Sequence, residues 1–405
     1  MKYSFEAIPK DDPLIKSTFH HFLVAFAAPA RWPVGLVYLL GGIVSAGLAW
    51  LWAIRSDTPG GWLMFAFMVS FFIADKLLLA GLPVRQISFA PWTSQIMALG
   101  VCRSVGALVL GLIAPYIGWW AAFTINAALQ ALGSIALYRG AIIEPGRLAM
   151  TALAVSTDRL PANSPPLRLL HLSDLHIERL GCREAQLLAL IHQADPDIIL
   201  ITGDYVNLSN NTDPETHAQV RQLLSQLSAR GGVFAVLGSP AVDLPGVIPA
   251  LFEDLPVRLL RNEGVELHGA SGQRVTVVGI DCRHDIAGDT LVLDHALAGV
   301  TGTGPRLLLY HSPELMPAAV ARDIDLYLCG HTHGGQVRLP GIGALLTSSR
   351  LGRRYVMGHY HEGRTHLYVS RGVGFEGLGA PRVRFLCPPE ITLVTLSGSG
   401  QTIAV

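Results

Sequence analysis

Two imidazoles stand two residues apart in Gly330-His331-Thr332-His333-Gly334-Gly335, directly after the apolar run Ile324 to Cys329. Neutral imidazole binds divalent transition metals, and flanking glycines let a backbone turn sharply and approach a bound anion. Upstream, two further apolar runs end in Asp174-Leu175-His176 and Gly203-Asp204, and the run Pro305–Tyr310 ends at His311. Alternate side chains of a strand share a face, so Asp174 and His176 can reach one ion from a single strand end. A carboxylate such as Asp204 can bridge two cations about 3.5–4 Å apart, an arrangement that clamps both the attacking and the leaving oxygen of a phosphoryl group. Each fragment alone reads as a cap, a turn or a hydrogen-bonded core histidine. Together, at the ends of successive runs, they predict a two-metal hydrolase.

The elements that must position these residues begin at Leu167. Leu167–Leu172, Asp197–Thr202, Gly232–Leu237, Arg274–Ile280, Pro305–Tyr310 and Ile324–Cys329 read as buried strands. Between them Arg183–Ala194, Pro214–Arg230 and Pro313–Arg322 carry helical spacing of apolar residues. Strand and helix alternation predicts a layered α/β domain with its site at strand carboxyl ends. Tyr355–Leu396, rich in glycine and proline, reads as short antiparallel strands closing a second sheet.

The first third of the chain is different. Half of all residues are hydrophobic and only 15% are charged, and the apolar excess lies before residue 140. Residues 33–54 and 61–82 each have the length of about 20 residues needed to cross a bilayer, and the stretch 92–138 holds two more crossings with a turn near Pro115-Tyr116. Four spans are therefore expected, with Trp50/Trp52 and Trp119/Trp120 at the interfaces. Arg103 falls inside the third span, where a charge is costly. Its favoured reading is packing against backbone carbonyls or snorkelling, ahead of a structural pair with Asp75 in the second span and, last, an ion-conducting role. Lys2, Lys10, Lys16, Arg31, Arg85, Arg139 and Arg147 flank one side and Arg55 alone the other, so both termini and the following domain are expected in the cytoplasm, at a bacterial inner membrane.

The division expected is a cytoplasmic segment over 1–32, a transmembrane helical domain over 33–139, a linker over 140–166 ending in Pro161-Ala-Asn-Ser-Pro-Pro166, and an α/β domain over 167–405. Thirty basic and thirty acidic residues balance, with no long basic tract after residue 150, which argues against a nucleic-acid duplex as partner. The five cysteines, odd in number and without a CxxC pair, read as free thiols in a reducing compartment. No removable signal peptide is expected.

In order and spacing these residues resemble the calcineurin-like metallophosphoesterase superfamily, whose motifs run D-x-H, G-D, G-N-H, a lone His and G-H-x-H. The resemblance covers about 167–396. The run Gly330 to Val337, with Ser370-Arg-Gly-Val-Gly374 and Cys387-Pro-Pro-Glu-Ile391, is similar to the membrane-associated branch that includes the UDP-2,3-diacylglucosamine hydrolase of the Chlamydia type and cell-envelope phosphodiesterases. The resemblance implies two sheets sandwiched and flanked by helices. It also implies two metal sites, one of Asp174, His176, Asp204 and His333 and the other of Asp204, His311 and His331, with Asp204 and His331 as catalytic residues. Carboxylate and imidazole donors suit Mn²⁺, with Fe or Zn as alternatives.

One motif departs: Gly238-Ser239-Pro240 stands where the family has Gly-Asn-His. The family's Asn is a ligand of the second metal and its His a proton donor. The departure predicts a weak second site, or one rebuilt with water, Ser239 or Asp243. His284 and His295 could replace the proton donor, although a surface loop is the favoured reading for both. Arg350, Arg353 and Arg354 could grip a diphosphate, a solvated hairpin edge being an equal reading. Asn207 is a candidate substrate contact. His359 and His361 alternate as ligands do, but Glu362-Gly363 after them marks a hairpin, which assigns them to structure.

The expected function is a membrane-anchored phosphoesterase acting on a phosphodiester or diphosphate of an amphiphilic substrate, such as a nucleotide-linked lipid precursor. The alternatives are a catalytically impaired metal- or phosphate-binding sensor or scaffold and, last, a transporter with a regulatory domain. Oligomeric state is not legible.

Overall fold

A computed structural model of the chain describes residues 24–54, 60–269 and 271–401. Lys2, Lys10, Lys16 and Arg55, used above to orient the spans, lie outside them. The chain forms two compact units, one running to Ile143 with Gly377–Val383 added, the other Glu144–Glu376 with the chain from Arg384 onward.

In the first unit α1 (Val34–Ala53), α2 (Gly60–Gly81), α3 (Trp92–Ile117) and α4 (Trp119–Tyr138) are long and apolar enough to cross a membrane. The turn expected at Pro115-Tyr116 falls later. Helix α3 continues through Pro115 and breaks at Gly118, whose φ of 89° reverses the chain in a conformation that suits glycine.

The favoured reading of Arg103 is corrected. Arg103 on α3 makes a two-pronged ion pair with Asp75 on α2, with Nε–Oδ2 and Nη2–Oδ1 both 2.6 Å. It also donates to Gln130 Oε1 at 2.9 Å and Ser134 Oγ at 2.9 Å, both on α4. A lone charge in hydrocarbon cannot remain unpaired, and the planar guanidinium satisfies several acceptors at once, so three helices converge on it.

The second unit opens with β1 (Ala149–Thr157), β2 (Leu167–Leu172), α5 (Cys182–Ala194), β3 (Ile198–Ile201), α6 (Pro214–Leu224), β4 (Val233–Ala235) and β5 (Val257–Leu259). It continues with β6 (Glu263–His268), β7 (Arg274–Gly279), α7 (Ile286–Ala298), β8 (Arg306–Leu309), α8 (Met316–Ala321) and β9 (Leu326–Cys329). After the small hairpin of β10 (Arg338–Leu339) and β11 (Gly343–Ala344) come β12 (Gly358–Glu362), β13 (Thr365–Val369) and β14 (Glu390–Gly398). One sheet has the order β1-β14-β2-β3-β4-β5 and the other β12-β13-β9-β8-β7-β6.

Both sheets are covered on two faces, so their strands read as apolar runs whose alternate residues serve different cores. Leu167, Leu169, Leu307, Leu309, Leu326 and Leu328 meet in the layer between the sheets. The intervening Leu170 and Leu172 pack under α5 and α6, and Leu308 and Tyr327 under α7 and α8. Each fully buried leucine contributes about 1.5–3 kcal/mol, and a register slip of one residue would exchange the two faces. The result is two mixed sheets sandwiched between helices.

Three expectations are corrected. Within the predicted linker, Ala149–Thr157 is a strand that pairs in parallel with β14 along its whole length. Its sequence offers no long apolar run and its burial is mostly partial, which hid it. The predicted antiparallel C-terminal strands divide: β12 and β13 form a hairpin on the second sheet, whereas β14 inserts into the first between β1 and β2. The segment read as a surface loop after Asp281 contains α7, which carries an exposed His295, and a buried His284.

Candidate metal centre

The parallel strands β2, β3, β8 and β9 end at one edge of the sandwich, and the turns that follow carry the polar residues. Asp174, His176, Asp204, His331 and His333 all have φ between 42° and 69°. Left-handed backbone at a non-glycine residue persists only where its surroundings impose it, and such strain gathers at functional sites. The turns interlock closely. Gly203, at φ 88°, leaves no room for a side chain, because a Cβ there would lie 2.3 Å from Gly238 N. A Cβ on Gly330 would lie 1.9 Å from Asp174 Oδ2.

Asp174, His176, Asp204 and His333 are buried and bring one donor atom each to within 4.8 Å of one another. The Nε2 atoms of His176 and His333 are 3.0 Å apart. His176 Nε2 lies 3.5 Å from Asp204 Oδ2, and His333 Nε2 is 3.5 Å from Asp174 Oδ1. Two carboxylates and two imidazole nitrogens brought this close together match the donor set of a divalent cation.

The remaining predicted ligands gather beside Asp204. His311 Nε2 is 3.2 Å from Asp204 Oδ2, yet it is buried without a hydrogen-bond partner among the described residues. The His311 and His331 rings are 5.1 Å apart between centroids. Outer partners select the free nitrogen of each ring. His176 Nδ1 faces Val206 O at 3.2 Å, His311 Nδ1 faces Thr202 O at 2.6 Å, and His331 Nε2 faces Ser348 O at 3.3 Å. A ring that donates to a carbonyl through one nitrogen turns the lone pair of the other inward, so His176 Nε2, His311 Nε2 and His331 Nδ1 are the donors on offer.

Electrostatics set the imidazoles apart from one another. Burial acts to raise the Asp204 carboxyl, but the charge of His311, with that of His176 and His331, holds it well below the usual carboxylate range. Burial acts to lower His311, and Asp204 and Asp174 help push it up to about 10. Burial, followed by His284 and His311, brings His331 down to about 3. Burial, followed by His176 and Arg384, holds His333 well below its ordinary value. Neutral imidazole is the ligating form, so His331 and His333 are already in it, whereas His311 would have to give up a proton as an ion binds.

The other predicted site residues fall into distinct places. The Asp243 carboxylate is not a free donor, because it accepts from the backbone N–H groups of Asp204 and Gly238 at 2.8 Å and of Tyr205 at 2.9 Å. Ser239 Oγ does face the site, 3.3 Å from His331 Nδ1. His284 is buried beside it rather than in a surface loop, with Nε2 3.3 Å from Ser239 Oγ. Asn207 is fully buried and its amide serves the loop, accepting from Ser209 N and donating to Phe375 O. The Arg350 backbone N–H donates to Glu314 Oε1 at 2.7 Å, which ties its segment to the site. Arg353 donates to Ile342 O, and Arg354 pairs with Glu362 at the β12 edge. His359 and His361 lie on β12, in the hairpin.

Several contributors escaped sequence reasoning. Glu376 Oε2 is 3.4 Å from His176 Nδ1. Arg384 lies fully buried behind His333, 3.5 Å from its Nδ1, and donates to Arg371 O and Gly372 O. Glu314 follows His311 by three residues, and that spacing was the one signal available.

A family model for calcineurin-like phosphoesterases matches residues 167–240. The metallophosphoesterase YkuE of Bacillus subtilis is 29% identical over 264 residues, which is 64% of this chain and 88% of that protein. The phosphodiesterase YaeI of Escherichia coli is 30% identical over 254 residues, 58% of this chain and 83% of that one. A transmembrane protein with a metallophosphoesterase domain from Bos taurus is 29% identical over 248 residues, 57% of this chain and 53% of its own length. With its fold and ligand quartet, this chain belongs to the calcineurin-like metallophosphoesterases, which bind divalent metals.

Proposed function

We propose that the protein is a membrane-anchored hydrolase that uses two divalent ions, Mn²⁺ at least at the first site, to cleave a phosphodiester or diphosphate in an amphiphilic substrate. A nucleotide-linked lipid precursor fits this description, with the helices in a bacterial inner membrane and the site on its cytoplasmic side. The observation that carries the reading is the buried quartet Asp174, His176, Asp204 and His333, with donor atoms within 4.8 Å of one another. Asp174, His176, Asp204 and His333 would hold one ion, and Asp204, His311 and His331 the other. The ions, when bound, supply positive charge for the attacking and leaving oxygens of phosphorus. The chain's own residues orient the donors through the Val206, Thr202 and Ser348 carbonyls. Arg350, on the segment tied to Glu314, is the candidate contact for substrate phosphate.

The test is hydrolysis of bis(p-nitrophenyl)phosphate by the full chain in detergent, after chelation and return of Mn²⁺. Metal-dependent turnover is expected, followed by release of a nucleotide from a lipid-linked diphosphate. Absence of any metal-stimulated rate sinks the hydrolase reading. Gly238-Ser239-Pro240 favours a second reading, a binding domain without turnover. One ion per chain and no stimulated rate is the result that reading requires. Cysteine-labelling of the domain from the cytoplasmic side tests the orientation.

A further inference from the structure

The second ion, on the family's pattern, loses its amide ligand to Ser239, and Pro240 offers no substitute. The place beside Ser239 is nevertheless filled by a donor that comes from elsewhere in the chain. His284, in the segment after β7, puts Nε2 3.3 Å from Ser239 Oγ, and that hydroxyl lies 3.3 Å from His331 Nδ1. The His284 and His331 rings are 4.8 Å apart between centroids. His284 is 1% exposed, and its φ of 54° repeats the left-handed backbone of the predicted ligands.

Behind His284 stands Glu314, with Oε2 3.7 Å from His284 Nδ1. That oxygen is buried without a hydrogen-bond partner among the described residues. Its other oxygen is anchored by the Arg350 N–H at 2.7 Å. A carboxylate behind an imidazole, on the side away from the site, fixes the ring and strengthens its inward nitrogen as a donor. His284 is held only loosely by its neighbours. It has a hydroxyl at 3.3 Å, the Cys282 thiol at 3.7 Å and a carboxylate at 3.7 Å.

We propose that His284, oriented by Glu314, replaces the missing amide as a ligand of the second divalent cation. The inference rests on the two-ion reading above. It also changes the character of the site. Three imidazoles from His284, His311 and His331 with one carboxylate from Asp204 form a softer donor set than the two imidazoles and two carboxylates of the first site. The second position therefore prefers Zn²⁺ or Fe²⁺, while the first accepts Mn²⁺.

The experiment counts ions on the full chain in detergent, stripped with chelator and titrated with Mn²⁺ and with Zn²⁺, using elemental analysis and the electron paramagnetic resonance of the manganese form. Wild type is expected to take two ions and to show a spin-coupled manganese pair. H284A should keep one ion, lose the coupling and weaken the second affinity at least about 100-fold, and E314Q should weaken it roughly 10-fold. Adding S239N to H284A, which returns the family's amide, should restore the second ion. Two ions with unchanged affinity in H284A, an unchanged E314Q, or one ion in wild type overturns the proposal. Loss of both ions in H284A would mean a damaged fold, and E314Q then decides. Two ions in wild type without metal-dependent hydrolysis would defeat the enzyme reading alone. Turnover with two ions in both wild type and H284A would defeat this proposal alone.

Discussion

The carboxylate of Asp243 holds the turn that carries Asp204, because one of its oxygens accepts from both Asp204 N and Gly238 N at 2.8 Å. Its other oxygen takes Tyr205 N at 2.9 Å. A residue that sequence offered as a spare ligand is therefore the clasp between two site turns. D243A leaves three buried N–H groups without acceptors, each costing about 1–3 kcal/mol. Chemical denaturation should show a loss of about 3 kcal/mol or more, and metal affinity should fall about 10–100-fold. D243N, which keeps one acceptor oxygen, should lose less, and equal losses in the two variants would refute the clasp.

Removing a donor from the quartet should cost more than removing an outer partner. H333A is expected to lose the first ion in titration calorimetry and to reduce hydrolysis by more than about 100-fold. Chelation of the wild type should lower its melting temperature, since an ion at about 100 times its Kd stabilises the folded state by roughly 2.7 kcal/mol. An unchanged melting temperature after verified metal removal would contradict the site.

The Asp75–Arg103 pair gives a prediction for the helical unit. R103M strands the Asp75 carboxylate among the helices, and breaking a buried pair costs about 3–5 kcal/mol. The double variant D75L/R103M removes both charges and should recover much of that loss in a thermal unfolding assay in detergent. A double variant as unstable as the single one would show that Arg103 acts through Gln130 and Ser134 instead.

Histidines on the β12–β13 hairpin predict a pH effect separate from catalysis. His359 Nε2 lies 2.9 Å from His366 Nδ1, and the His361 and His366 rings stack with centroids 4.1 Å apart. Burial first, then His361 and His359, lowers His366 to about 4. A lowered folded value means that both states are neutral above the ordinary value of 6.5, so the hairpin has its full stability there. As pH falls from there toward about 4, the unfolded chain takes up the proton first and stability is lost. Amide hydrogen exchange in 358–369 should quicken, relative to the rest of the domain, between pH 7 and pH 5 in wild type, and H366Q should flatten the change.

What sequence showed and what it hid follow from the range of the interactions. Asp174, His176, Asp204, His311, His331 and His333 were legible because each follows an apolar run, and strand ends at one sheet edge bring such residues together. The two-faced burial of Leu167–Leu172 made the sandwich readable in the same way. Asp243, Glu376 and Arg384 were not legible, because they serve backbone groups and rings that meet them only in the fold. His284 was misplaced because α7, with Gly288 and β-branched residues in its first turns, carries weak helical signals. The pairing of β1 with β14 joins segments at opposite ends of the domain, beyond the reach of any local pattern.

That pairing also sets a schedule. Because β14 lies between β1 and β2, the first sheet stays divided until residues 390–398 have been made, although β1 through β5 are complete by residue 259. The helical unit likewise waits for Gly377–Val383. During synthesis, at roughly 5–20 residues per second, half-built strands with open edges persist until the last strand arrives. Stalling of translation late in the message would therefore leave both units unfinished together.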